Sequence, residues 1–238
     1  MSSTPQNPAP STSTHAEPPA APGAPKAGAR PLPRRFNLIR SFVLADFITL
    51  ANATCGMASV LLCIHYLEAG HYDPYLAWAF ALLPLAFVFD TADGAVARWR
   101  RRSSPYGADL DSLADIVSFG VAPAVVGFTL GLRGVWDTLI LIYFVCCGIS
   151  RLARFNVTAA TLTDDATGKV RYFEGTPIPT SLFVVLVYFL AWKMGRTGED
   201  ELLGGTWTLA GGDLHPLGLL YLVSGSAMIS ERLRIPKL

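Results

Sequence analysis

The residues able to do chemistry lie in one stretch, DTADGAVARWRRRSSPYGADLDSLAD, which runs from Asp90 to Asp115. Asp90 and Asp93 are three apart and Asp111 and Asp115 four apart, so on a helix each pair shares a face. Single aspartates at helix ends are usually solvated caps, and Asp109, off the Asp111/Asp115 face, reads as one. Two same-face pairs with Gly94 and Gly107 between them do not. Both flanking segments are apolar, and a lone carboxylate at the centre of a membrane helix costs about 2.5–3.5 kcal/mol on insertion scales. Something cationic must offset four of them, and Arg98 alone is insufficient. An oxygen-only ligand set without His or Cys favours a hard divalent cation, Mg²⁺ or Mn²⁺. Two pairs suit a two-ion site, which clamps the attacking and leaving oxygens of a phosphoryl displacement.

The elements that must hold these residues are legible in the composition. The 238-residue chain is 51% hydrophobic and 16% charged, with a net charge of +1. That excludes a disordered chain and gives no global field for a nucleic-acid partner. Residues 1–33 hold nine of the 17 prolines and no aromatic residue. They lack the apolar core of a signal peptide and read as a disordered tail, leaving 34–238 as the membrane domain. Crossing a bilayer takes about 20 apolar residues as a helix. Six stretches qualify: 42–66, 75–97, 111–131, 135–156, 177–194 and 214–230. The expected fold is therefore all-α, an integral membrane bundle of six transmembrane helices. Ser104-Pro105 suits the start of the third helix, so the connection between the aspartate pairs is a short hairpin that sets them face to face.

Alternate loops differ in charge: sixteen of the 19 Lys and Arg residues fall on one side of such a bundle. The positive-inside rule then puts both termini and the aspartates on the cytoplasmic side of the inner membrane. The run Arg34–Arg40 mixes basic and apolar residues and reads either as an interfacial helix or as a plain anchor. The four cysteines sit in apolar runs and read as small hydrophobes. His15, His65, His71 and His215 are scattered without ligand spacing, Glu174 reads as a loop acid, and the tryptophans fall near span ends. Gly94 and Gly107 either admit a ligand to the backbone or permit close helix packing.

Taken together, Asp90-x2-Asp93-Gly94-x2-Ala97-Arg98-x8-Gly107-x3-Asp111-x3-Asp115 resembles, at all eight defined positions, the signature of the CDP-alcohol phosphotransferase family. The resemblance extends over roughly 35–235. Within the family the chain is most similar to the membrane-integrated phosphatidylserine synthases, on the runs Ser112–Pro123, Arg151–Asn156 (RLARFN) and Phe173–Pro179 (FEGTPIP). Thr49 and Asn52 match the first-span pattern of such enzymes, whose Pro-Asn pair is here Ala45-Asp46.

The resemblance implies transfer of the phosphatidyl group of CDP-diacylglycerol to the hydroxyl of L-serine, giving phosphatidylserine and CMP. It implies two divalent ions on Asp90, Asp93, Asp111 and Asp115, with Asp115 also the general base. It implies CDP-lipid contacts at Thr49, Asn52, Gly94, Ala97, Arg98 and Gly107, and a homodimer. Arg151 and Arg154, basic and three apart, are candidates for the serine carboxylate or a phosphate, and equally for topology anchors. Two alternatives remain. One is the same chemistry on glycerol phosphate, inositol phosphate or choline; the other is a membrane ion carrier, since intramembrane carboxylates also mark ion pathways.

Overall fold

A computed structural model of the chain describes residues 44–100, 106–162, 172–198, 202–209, 211–230 and 234–236. The tail 1–33, the Arg34–Arg40 segment and the Ser104-Pro105 pair lie outside the described residues. Helix α1 spans Leu44–Glu68 and α2 Asp73–Arg100. Helix α3 (Gly107–Asp115) passes through a wider π turn, Ile116–Val121, into α4 (Ala122–Thr129). Helix α5 is Val135–Leu162, α6 Ser181–Lys193 and α7 Leu219–Ile229. Single 3₁₀ turns precede α6 and α7.

This is an all-α membrane bundle. Among the described residues, four helical segments are long and apolar enough to cross a bilayer: Leu44–Glu68, Asp73–Val96, Gly107–Thr129 and Val135–Val157. The fifth and sixth expected spans, Ile178–Lys193 and Pro216–Ile229, are shorter apolar helices. The third begins at Gly107, with Tyr106 in the capping position, four residues before the expected hydrophobic start. The acids of its first turns are helical because the helix extends beyond its apolar part.

Helix α1 shows how the sequence builds the bundle. Asp46, Thr49, Asn52, Cys55, Gly56, Ser59, Cys63 and Tyr66 recur at three- and four-residue spacing and are buried. Phe47, Leu50, Met57, Leu61 and Ile64 point outward. The polar and small face is inside and the apolar face outside, as a lipid solvent demands. Helix α2 packs along this face, where the Ser59 hydroxyl donates to the Ala79 carbonyl at 2.9 Å. The π turn ends two residues before Pro123, which has no N–H to return to the Phe119 carbonyl, so regular α-bonding is already interrupted there.

Two short antiparallel ladders were not foreseen in the sequence. Strand β1 (Tyr172–Glu174) pairs with β4 (Arg234–Pro236), and β2 (Trp207–Leu209) with β3 (Gly212–Leu214). The β2–β3 hairpin closes one end of the bundle. Gly134 admits it, because a Cβ there would collide with the Asp213 carbonyl, and the Trp136 indole donates to the Leu209 carbonyl at 2.8 Å. In the same region Asp137 and His215, 0% and 2% exposed, are joined. His215 Nδ1–H donates to Asp137 Oδ2 at 2.6 Å and its backbone N–H to Oδ1 at 2.9 Å. The Gly134 N–H also donates to Oδ2, at 3.1 Å. His215 is thus neither isolated nor a surface residue. Its partner lies 78 residues away, beyond the reach of a spacing argument.

Candidate active site

Because α2 runs toward the acidic end and α3 away from it, the last turns of one and the first turns of the other lie at the same depth. Asp90, Asp93 and Asp111 converge there: one carboxylate oxygen from each lies within 4.8 Å of the others. Asp93 is buried and Asp90 and Asp111 half-buried. Asp115, one turn further along α3, is buried and lies within electrostatic reach of Asp90, Asp111 and Asp93. The two same-face pairs therefore form one cluster. Asp109 is exposed and apart from it.

Helix α1 supplies the floor of the cluster. The Thr49 hydroxyl donates to Asp93 Oδ2 at 2.7 Å, and the Asn52 amide donates to Asp115 Oδ1 at 3.2 Å. Thr49 and Asn52 are both buried and face the carboxylates, so they orient the acids whatever else they touch. Asp46 is buried one turn earlier on the same stripe. Gly94 and Gly107 flank the cluster on α2 and α3. The backbones of Ala97 and Arg98 continue α2, while their side chains lie outside the described residues.

The two candidate arginines separate. Arg151 is half-buried, lies within electrostatic reach of Asp115, and keeps its Nε buried without a hydrogen-bond partner. Arg154 is exposed. Five residues beyond Arg151, the Asn156 amide donates to the Ser112 hydroxyl at 3.1 Å, tying α5 to α3 between Asp111 and Asp115. Sequence reasoning assigned no role to Ser112 or Asn156. Their only signal was membership of the SLADIVSFG and RLARFN runs.

Among the described residues, four carboxylates gather here beside one neighbouring guanidinium, that of Arg151. Carboxylates gathered this closely in a low-dielectric site repel strongly, and Asp111 Oδ1 is buried without a hydrogen-bond partner. The donor set, all oxygen, fits a hard divalent ion. The Asp90–Asp93–Asp111 group could hold one.

A family model described as CDP-alcohol phosphatidyltransferase matches residues 42–215, which include every residue of this cluster. The chain belongs to that family. Among its relatives, a CDP-diacylglycerol–serine O-phosphatidyltransferase of Saccharomyces cerevisiae is 42% identical over 212 residues, 85% of this chain and 73% of that protein. An archaetidylserine synthase of Methanothermobacter thermautotrophicus is 36% identical over 156 residues, 64% of this chain and 60% of that protein. A CDP-diacylglycerol–serine O-phosphatidyltransferase of Mycobacterium leprae is 33% identical over 181 residues, 74% of this chain and 54% of that protein. The chain thus spans a little over half to about three quarters of the length of these relatives. The eight signature positions fall within the matched region, and so do Thr49, Asn52, Arg151 and Arg154.

Proposed function

We propose that the chain transfers the phosphatidyl group of CDP-diacylglycerol to L-serine, releasing CMP. The observation that carries this reading is the convergence of Asp90, Asp93 and Asp111, with Asp115 in electrostatic reach of all three, at one end of a bundle whose family performs transfers from CDP-activated alcohols. The acceptor is taken from the name of the yeast relative, 42% identical along most of the chain.

In the reaction the serine hydroxyl oxygen forms a bond to the phosphorus that bears the diacylglycerol. The bridging P–O bond to CMP breaks, and the hydroxyl proton leaves. Asp115 takes that proton: it is the acid held by Asn52, beside the three-carboxylate group. Asp90, Asp93 and Asp111, with Asp115 adjoining, would hold two Mg²⁺ or Mn²⁺ ions. When bound, such ions neutralise charge on the diphosphate and on the departing CMP. Thr49 keeps Asp93 turned toward the site. Gly94, Ala97, Arg98 and Gly107 line the approach of the CDP group, with no side chain at either glycine to obstruct it. Arg151 receives the serine carboxylate, because its buried Nε has no partner among the described residues and the guanidinium lies within electrostatic reach of Asp115. Arg154, exposed, serves the lipid or nucleotide phosphate or the anionic bilayer surface.

The acidic end faces the cytoplasm in this reading, supported by the distribution of Lys and Arg. CDP-diacylglycerol enters from the inner-membrane leaflet, and two copies of the chain form the working unit. The test is CMP release by the detergent-purified protein, supplied with CDP-diacylglycerol, Mn²⁺ or Mg²⁺, and one acceptor at a time. The expected result is release that depends on serine. Release only with glycerol 3-phosphate, inositol phosphate or choline would overturn the acceptor and leave the metal site standing.

A further inference from the structure

Immediately after Asp115 the helix widens into the π turn Ile116–Val121, a feature that often accompanies functional sites. Its Ser118 is fully buried and touches α1 in two ways. Its hydroxyl donates to the Asn52 carbonyl oxygen of the main chain at 2.9 Å. Its backbone rests on Gly56: a Cβ at Gly56 would stand 2.7 Å from Ser118 Cα and 2.5 Å from its Oγ. That approach requires glycine. One turn back from Gly56, the Asn52 side chain reaches across to Asp115 Oδ1. Asn52 is therefore gripped at its main chain by the residue three positions after Asp115 while its side chain grips Asp115 itself. The two hydrogen bonds close a loop through Asn52 and the turn from Asp115 to Ser118.

We propose that Ser118, seated on Gly56, is a positioning residue that sets the Asp115 carboxyl group through Asn52. A hydroxyl bond to a main-chain carbonyl is a common way to dock two helices, and the Ser59–Ala79 bond is one such between α1 and α2. Ser118 differs because the residue it holds is the hydrogen-bond donor to Asp115. Without it α1 still packs, but Asn52 is no longer fixed relative to the turn that carries the acid. The inference rests on Asp115 acting as the base in the proposed transfer.

The test is a double-mutant cycle on kcat for serine-dependent CMP release, using Ser118→Ala and Asn52→Ala in the full chain. Ser118→Ala should lower kcat about tenfold, the scale of one lost hydrogen bond in the transition state. KM for both substrates and the Mn²⁺ concentration for half activity should stay within about twofold. In the Asn52→Ala background the further loss should be under about twofold, because the path to Asp115 is already cut. Ser59→Ala, two turns further along α1, should lower the thermal midpoint comparably and leave kcat unchanged. Additive losses in the cycle, or equal losses of kcat in Ser59→Ala and Ser118→Ala, would overturn the inference. A readout without turnover separates this from the proposed reaction. The carboxyl band that Asp115→Asn removes from the infrared spectrum should shift in Ser118→Ala and not in Ser59→Ala. A chain that releases no CMP with any acceptor would sink the reaction, whereas an unmoved band would sink the positioning role.

Discussion

Aspartates are buried at both ends of this bundle, and the two ends treat them oppositely. Asp137 is surrounded by donors: the His215 ring and main chain and the Gly134 N–H occupy both of its oxygens. Its charge is consumed by structure, closing the β2–β3 hairpin onto the start of α5. At the other end Asp90, Asp93, Asp111 and Asp115 face one another; Asp93 has the Thr49 hydroxyl and the Gly94 N–H, Asp115 the Asn52 amide, and Asp111 Oδ1 no donor among the described residues. A buried acid with all its partners in the chain is a staple, and a set of buried acids short of partners is a binding site. Burial alone does not separate the two. The accounting of donors does.

The largest expected difference comes from Asp115→Asn, which keeps the size and most of the packing but removes the base. CMP release should fall by about 10²–10⁴-fold with the thermal midpoint unchanged or raised, since one repelling charge has gone. Asp137→Ala should do the reverse. Breaking a buried pair costs about 3–5 kcal/mol, which for a domain of this size lowers the midpoint by roughly 10 °C. The folded fraction should keep kcat within about twofold. If Asp137→Ala abolished turnover at a temperature where the chain is fully folded, the division between staple and site would fail.

Thr49→Val is the next in size. It deletes the 2.7 Å bond to Asp93 and should cost about 10- to 100-fold in activity, a hydrogen bond to a charged group being worth about 1.5–3 kcal/mol. The larger part of the loss should show as a higher Mn²⁺ requirement, measured by metal titration of the rate. The smallest effect should come from Asp109→Asn, because Asp109 is exposed and outside the cluster. Rate and midpoint should both stay near the parent values, and a clear loss of activity would enlarge the site beyond the four acids.

The three- and four-residue spacing of the aspartates placed each pair on one face, because helix periodicity is local and needs no tertiary information. The apolar runs foretold the four long helices on the same grounds, and the absence of His and Cys near the acids pointed to a hard cation. The Thr49–Asp93 and Asn52–Asp115 contacts join residues 44 and 63 positions apart. Spacing showed only that Thr49 and Asn52 share a stripe. Pro123 marked where regular α-bonding would be interrupted, but the seat of Ser118 on Gly56 and the Asp137–His215 pair gave no signal. Each depends on the register at which two helices meet, and register is decided by packing between segments distant in sequence. Residue type and period thus determined which groups could react and which face of a helix carried them. Only the tertiary structure decided which of two chemically identical buried acids was satisfied and which was left to bind something else, because a carboxylate's role is set by the donors that surround it.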